Sequence, residues 1–135
     1  MRRSQDAAGA MTRGPVVIFL RAPEWEARHL AVSLAVTAAA LGDEVHLALF
    51  GEALTAFARG GFGEGAPEAA GAARVPPLDA TLREARRDLG VRVVACDTAL
   101  RLAGIDPGAA APPLDAVVSL PSLWRLAQEG RALTV

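Results

Sequence analysis

Short, continuous apolar runs alternate along this chain with longer segments of helical spacing, and no other feature limits the fold as much. The runs are Val16–Leu20 (VVIFL), Val45–Phe50 (VHLALF), Val91–Ala95 (VRVVA), Ala116–Leu120 (AVVSL) and Ala132–Val135 (ALTV). A strand with one wet face alternates apolar and polar residues. A run without that alternation suits a strand covered on both faces, as in a parallel sheet. Parallel neighbours need crossover connections, and the intervening segments are long enough to be helices. The pattern therefore predicts an α/β fold, a parallel sheet with helices on both faces and right-handed connections.

The helices are read from their punctuation. Glu24–Leu41 starts with acidic residues, which the helix dipole favours, and stops at Gly42. Leu30, Leu34 and Leu41 mark its expected core face. Glu52–Ala58 is a short helix. Leu78–Leu89 has Leu82, Ala85 and Leu89 on one face and Arg83, Arg86 and Arg87 on the other, closed by Gly90. With Glu84 and Asp88 interleaved, that basic face reads as solvated or as an interface. Cys96–Ala103 is a turn and helix ending at Gly104, and Pro121–Gln128 carries Pro at its first turn. Residues 60–77 and 106–114, rich in Gly, Ala and Pro, read as loops, the first as a flexible one. Residues 1–14 read as a flexible tail, with Met11 as an alternative start to Met1, and 15–135 as a single domain.

Composition narrows function mainly by exclusion. Apolar residues are 52% of the 135, enough to build a core. A net charge of -1 argues against nucleic acid or an anionic membrane as partner. All 14 basic residues are Arg, so the chain has neither a Schiff-base lysine nor a P-loop lysine. One cysteine rules out an intrachain disulfide framework and fits a reducing compartment. The stretch His29–Leu41 is well short of the roughly 20 apolar residues that span a bilayer. No signal-type apolar region follows Arg2 and Arg3. The expectation is a cytoplasmic protein.

In open α/β sheets, ligands bind beyond the carboxyl ends of the strands. The residues there are Arg21 and Glu24 after the first strand, and Gly51 and Glu52 after the second. Cys96, Asp97 and Thr98 follow the third, and Ser119 and Ser122 lie around the end of the fourth. Cys96 is the sharpest of these. At a helix start, free backbone N–H groups and the positive end of the dipole favour thiolate over thiol. Asp97 acts in the opposite sense unless an arginine such as Arg21 or Arg101 offsets it. The alternative is a small buried Cys that only packs. His29 and His46 lie on different elements and lack ligand spacing, so no metal is expected, and no cofactor. There is no Gly-x-Ser-x-Gly elbow, and no Gly-x-Gly-x-x-Gly follows a strand. The glycine cluster at 60–63 reads as loop. Trp25 and Trp124, each near a helix start, line a pocket, seal the sheet's rim or meet an oligomer partner.

The segment VRVVACDTALRLAGID resembles the cysteine segment of the DsrE/DsrF-like family: a strand ending at Cys, then a small-residue helix closed by Gly, with seven residues between Cys96 and Gly104. AVSLAVTAAALGDEVHLALFGEAL is similar to that family's first helix and second strand, and Val117–Val135 to its closing strand–helix–strand. The resemblance covers roughly residues 15–135. It implies a three-layer α/β/α fold with a five-stranded parallel sheet, assembly into homo- or hetero-oligomers such as trimers or hexamers, and sulfur carried as a persulfide on Cys96. The partners would be sulfur donor and acceptor proteins. Two other readings stand beside it: an oligomeric module that binds a small ligand and uses Cys96 structurally, and a redox-sensing thiol. The high apolar fraction for this length also predicts that the protein is not a monomer.

Overall fold

The computed structural model describes residues 14–108 and 113–135. Residues 1–13, where the tail and both candidate starts were expected, lie outside the described residues, as do residues 109–112 of the second loop.

The alternating pattern becomes a single sheet. Strands β1 (Val16–Leu20), β2 (Val45–Leu49), β3 (Arg92–Cys96), β4 (Ala116–Val118) and β5 (Arg131–Thr134) lie in the order β4-β3-β2-β1-β5. Every pairing is parallel. The helices are α1 (Trp25–Ala40), α2 (Gly51–Ala58), α3 (Glu68–Ala72), α4 (Leu78–Leu89), α5 (Asp97–Leu102) and α6 (Leu120–Gln128).

Successive side chains of a strand point to opposite faces, and the two faces differ here. Ile18, Leu20, Leu47, Leu49, Val93 and Ala95 point into the main core, packed by residues of α1, α2, α4 and α5. Val17, Ala48 and Val94 point the other way and meet Leu123 and Ala127 of α6. Both faces of the central strands are dry, which is why their sequences lack alternation. β5, at the sheet edge, is exposed throughout. Its start packs backbone to backbone against the residue before β1: Arg131 N–H donates to Pro15 O at 2.9 Å. A Cβ on Gly130 would overlap that carbonyl, so only glycine fits there.

Four expectations need correction. Leu30 (51% exposed) and Leu41 (68%) do not form the core face of α1; Ala31, Val32 and Ala35 do, with Arg28 beside them. The helix is apolar nearly all round, so the large residues did not mark its inner side. The small ones pack closest against the sheet. On α4 the buried residues are Leu78, Leu82 and Ala85, and Leu89 is turned outward beside the closing Gly90. Segment 60–77 is not a plain loop: it contains α3, and Phe62 (3% exposed) plugs into the core edge-on to Phe57. β4 stops at Val118, because the Ser119 side chain accepts the Ser122 N–H at 3.2 Å and starts α6.

The basic face of α4 is more engaged than a solvated face. Arg86 forks onto Asp115 at 2.9 and 3.1 Å and donates to Pro113 O at 2.7 Å. Asp115 also accepts the Val93 N–H at 2.7 Å. This fastens α4 to the start of β4. Arg83 and Arg87 pair with Asp79 and Asp88. Among the described residues, no helix is long and apolar enough to cross a membrane.

Candidate functional site

Parallel strands bring their carboxyl ends to one edge, and an open groove of about 710 Å³ lies there. Its lining includes Arg21 after β1, Phe50 and Gly51 after β2, and Cys96, Thr98 and Ala99 from the β3–α5 turn. Glu52 and Thr55 of α2, Leu102 of α5 and Leu120 of α6 complete the wall. Gly51 makes the turn from β2 into α2 with φ +56°, a left-handed conformation that a side chain would strain.

Cys96 is the last residue of β3 and the cap of α5. Its backbone is extended (φ -86°, ψ 154°), and its Sγ accepts the N–H of Ala99 at 3.3 Å. The residue is 4% exposed and packs with the main core, yet it contributes to the groove lining. It is a recessed thiol on the groove floor. Asp97 does not confront it as a bare charge. One carboxylate oxygen of Asp97 lies 3.3 Å from Arg101, one helical turn on, and the other accepts the Thr98 N–H at 3.0 Å. Of the two arginines expected to offset Asp97, Arg101 pairs with it and Arg21 stands in the groove.

Of the nine residues read from sequence beyond the strand ends, Cys96, Arg21, Gly51, Glu52 and Thr98 come together in this groove, and Asp97 lies beside it. Glu24 and Ser119 do not line it. Glu24 is the exposed cap residue of α1 and makes no capping bond with its side chain. Ser119 is engaged with Ser122 through both Oγ and N–H. Leu102 (85% exposed) and Leu120 (53%) were not foreseen. Each sits beside a helix terminus, where helical spacing does not say which way a leucine faces. Trp25 stacks on His29 with centroids 4.8 Å apart, and its indole N–H is buried without an acceptor among the described residues. Trp124 is 60% exposed on α6.

Sequence reading also passed over Arg28. It is 6% exposed inside the first turns of α1. Its guanidinium donates to three backbone carbonyls: Pro23 (3.2 Å), Phe62 and Glu64 (2.8 Å). Burial is the main cause holding its pKa below the ordinary arginine value, with the charge of Arg59 adding to it and Glu64 opposing. Among the described residues, no cluster of His, Cys, Asp or Glu could hold a metal ion.

The DsrE/DsrF-like family model matches residues 16–135. A solved structure of a conserved protein of unknown function from Bacteroides thetaiotaomicron shares the fold, with TM-score 0.56 at 12% identity, covering 90% of this chain and 94% of that one. No curated protein matches the chain. The chain belongs to the DsrE/DsrF-like family.

Proposed function

We propose that this member of the DsrE/DsrF-like family carries sulfur as a persulfide on Cys96. The observation that carries the reading is a recessed sulfur on the floor of an open groove, with a backbone N–H donated to it at 3.3 Å. In the forward step the Cys96 thiolate attacks the outer sulfur of a donor persulfide. The new S–S bond forms as the donor's S–S bond breaks, and the donor leaves as its thiolate. In the return step a partner thiolate attacks the outer sulfur on Cys96, and Cys96 leaves with the bonding pair. No external oxidant or reductant is needed, and one cysteine suffices because the second thiol belongs to the partner. The Ala99 N–H supports a negatively charged sulfur at this position, and the Asp97–Arg101 pair lessens the repulsion that Asp97 would otherwise exert.

The partners proposed are donor and acceptor proteins in the cytoplasm, with the protein itself assembled as a homo-oligomer. Leu102, Leu120 and Trp124, all more than half exposed, support assembly. A monodisperse monomer in light scattering would count against it.

A second reading has an observation of its own. Cys96 packs in the main core at 4% exposure, which suits a structural residue in a module that binds a small ligand. Intact mass separates the two. After incubation with a persulfide donor, the carrier gains one sulfur, and Cys96→Ser gains none. A folded wild-type protein whose Cys96 is alkylated by a small reagent but gains no sulfur is not a carrier.

A further inference from the structure

The Cys96 groove does not end at α2. Across Pro23, Glu52 and Thr55, which line both, it adjoins a second hollow of about 400 Å³. Arg28 lines that hollow, together with Arg59 and Glu64.

Arg28 is a charged group nine-tenths buried with no carboxylate at ion-pair distance among the described residues. A buried charge without a counter-charge is costly, and carbonyl dipoles offset only part of that cost. A guanidinium has five N–H donors. Three are used, one from each nitrogen, so among the described residues each terminal nitrogen keeps one N–H without an acceptor. The three carbonyls also hold the group rigid. The position adds to the imbalance, because Arg28 lies near the N-terminus of a 16-residue helix, where the dipole already disfavours a cation and favours an anion. The local carboxylates do not cancel it. Glu64, whose charge favours the Arg28 cation, is itself paired with Arg59 at 3.3 Å, so it offsets the charge only in part. Glu52, on the divide between the hollows, has no ion-pair partner among the described residues and opposes an anion. Gly65, whose φ of +87° already calls for glycine, leaves this spot without a side chain; a Cβ there would lie 3.6 Å from Arg28 Nη2.

We propose that the hollow floored by Arg28 is an anion subsite that takes a carboxylate or a small oxyanion, with Arg59 as its outer cation. Two sources share that chemistry: a free inorganic anion, or the carboxylate of a small thiol compound whose sulfur reaches Cys96 along the trough.

The test is calorimetric titration of the full chain with sodium sulfate, at ionic strength held constant with chloride. The subsite predicts one saturable site, unchanged in Cys96→Ser. Affinity falls about tenfold in Arg59→Gln, the effect of one charge-assisted contact, and rises in Glu52→Gln. Both substituted positions are exposed, so these variants decide the matter even where Arg28→Lys fails to fold; a folded Arg28→Lys loses the site. Absence of saturable binding, or affinities that ignore both exposed variants, overturns the proposal. A second arm, which rests on the Cys96 reading, compares the rates of Cys96 with a dicarboxylated aromatic disulfide and with neutral dipyridyl disulfide. Sulfate that slows only the carboxylated reagent identifies the thiol compound as the source, and sulfate that slows neither identifies the free anion. If Cys96 reacts with neither reagent, the carrier reading falls and the sulfate titration still decides the subsite.

Discussion

The turn after β3 and the turn after β4 sit side by side and have almost the same backbone. Cys96 caps α5 at φ -86° and ψ 154°; Ser119 caps α6 at φ -87° and ψ 153°. The register pairs Cys96 with Val118, the residue before Ser119. Each side chain accepts the N–H three residues on, at 3.3 Å to sulfur and 3.2 Å to oxygen. The surroundings differ. Ser119 is exposed and bonded to the Ser122 hydroxyl, whereas Cys96 is recessed in a groove walled by three other strand–helix connections. For capping alone, serine is the better residue, since a neutral thiol is a weak acceptor. The comparison teaches that the helix start explains an accepting atom at position 96, while burial against the main core beside the groove sets Cys96 apart from the exposed Ser119.

The largest expected effect tests whether the two turns rest on equally firm supports. Leu100 (1% exposed) lies under the first and Leu123 (2%) under the second. Leu100→Ala and Leu123→Ala should each cost about 2–5 kcal/mol in denaturant unfolding. A much smaller loss for Leu100 would mean that the cysteine turn is loosely seated.

The next sharpens the comparison by making the turns alike. Cys96→Ser should keep the Ala99 contact and change stability by less than about 1 kcal/mol, while abolishing sulfur uptake. Cys96→Ala should lose the cap as well, roughly 1 kcal/mol. Thermal melts and intact mass on both variants check this.

A further effect belongs to the brace between α4 and β4. Burial pushes the Asp115 carboxyl up, but the Arg86 fork and the Val93 N–H outweigh it and hold its pKa below the ordinary value. A depressed folded pKa means that the stabilisation is fully present above the unfolded aspartate value of about 3.9. It is lost as pH falls through the lower folded value. Arg86→Ala should cost on the order of 1 kcal/mol at neutral pH, and the difference from wild type should shrink in strong acid. Urea midpoints at pH 7 and pH 2 read it. An undiminished difference in acid would show that Asp115 is not the partner that matters.

The smallest concerns Asp97. Its surface pair with Arg101 should contribute under about 0.5 kcal/mol. Arg101→Ala should nonetheless slow sulfur uptake roughly 2–5-fold, as expected for a partly screened charge left near the sulfur. Adding Asp97→Asn should restore the rate. A slow double variant would place the cause elsewhere.

Particular residues show how far the sequence could be read. The unalternating runs of β1, β2 and β3 implied a doubly covered parallel sheet, because burial on both faces leaves that mark; the equally apolar run of β5 lies exposed at the edge. The rule that sites lie beyond strand ends gathered Arg21, Gly51, Cys96 and Thr98. It also gathered Glu24 and Ser119, because sequence order does not tell a side chain facing a groove from one that caps a helix or faces solvent. Arg28 escaped notice because an arginine on a helix reads as solvated. Only the fold reveals that segment 61–65 brings carbonyls over it. Phe62 went unread for the same reason: a lone aromatic among glycines has no period to mark it as core.

On the persulfide-carrier proposal, Cys96 works from the groove floor and is not merely packed in the core. Native-state alkylation distinguishes these, comparing the labelling rate of wild type with that of a destabilised variant such as Leu123→Ala, whose side chain does not line the groove. A groove thiol should be labelled in the folded state, at a rate nearly independent of global stability. If labelling instead requires unfolding, the rate should rise in step with the unfolded population, roughly 30-fold or more for a loss of 2 kcal/mol or more. That result would make Cys96 a core residue and contradict the carrier proposal.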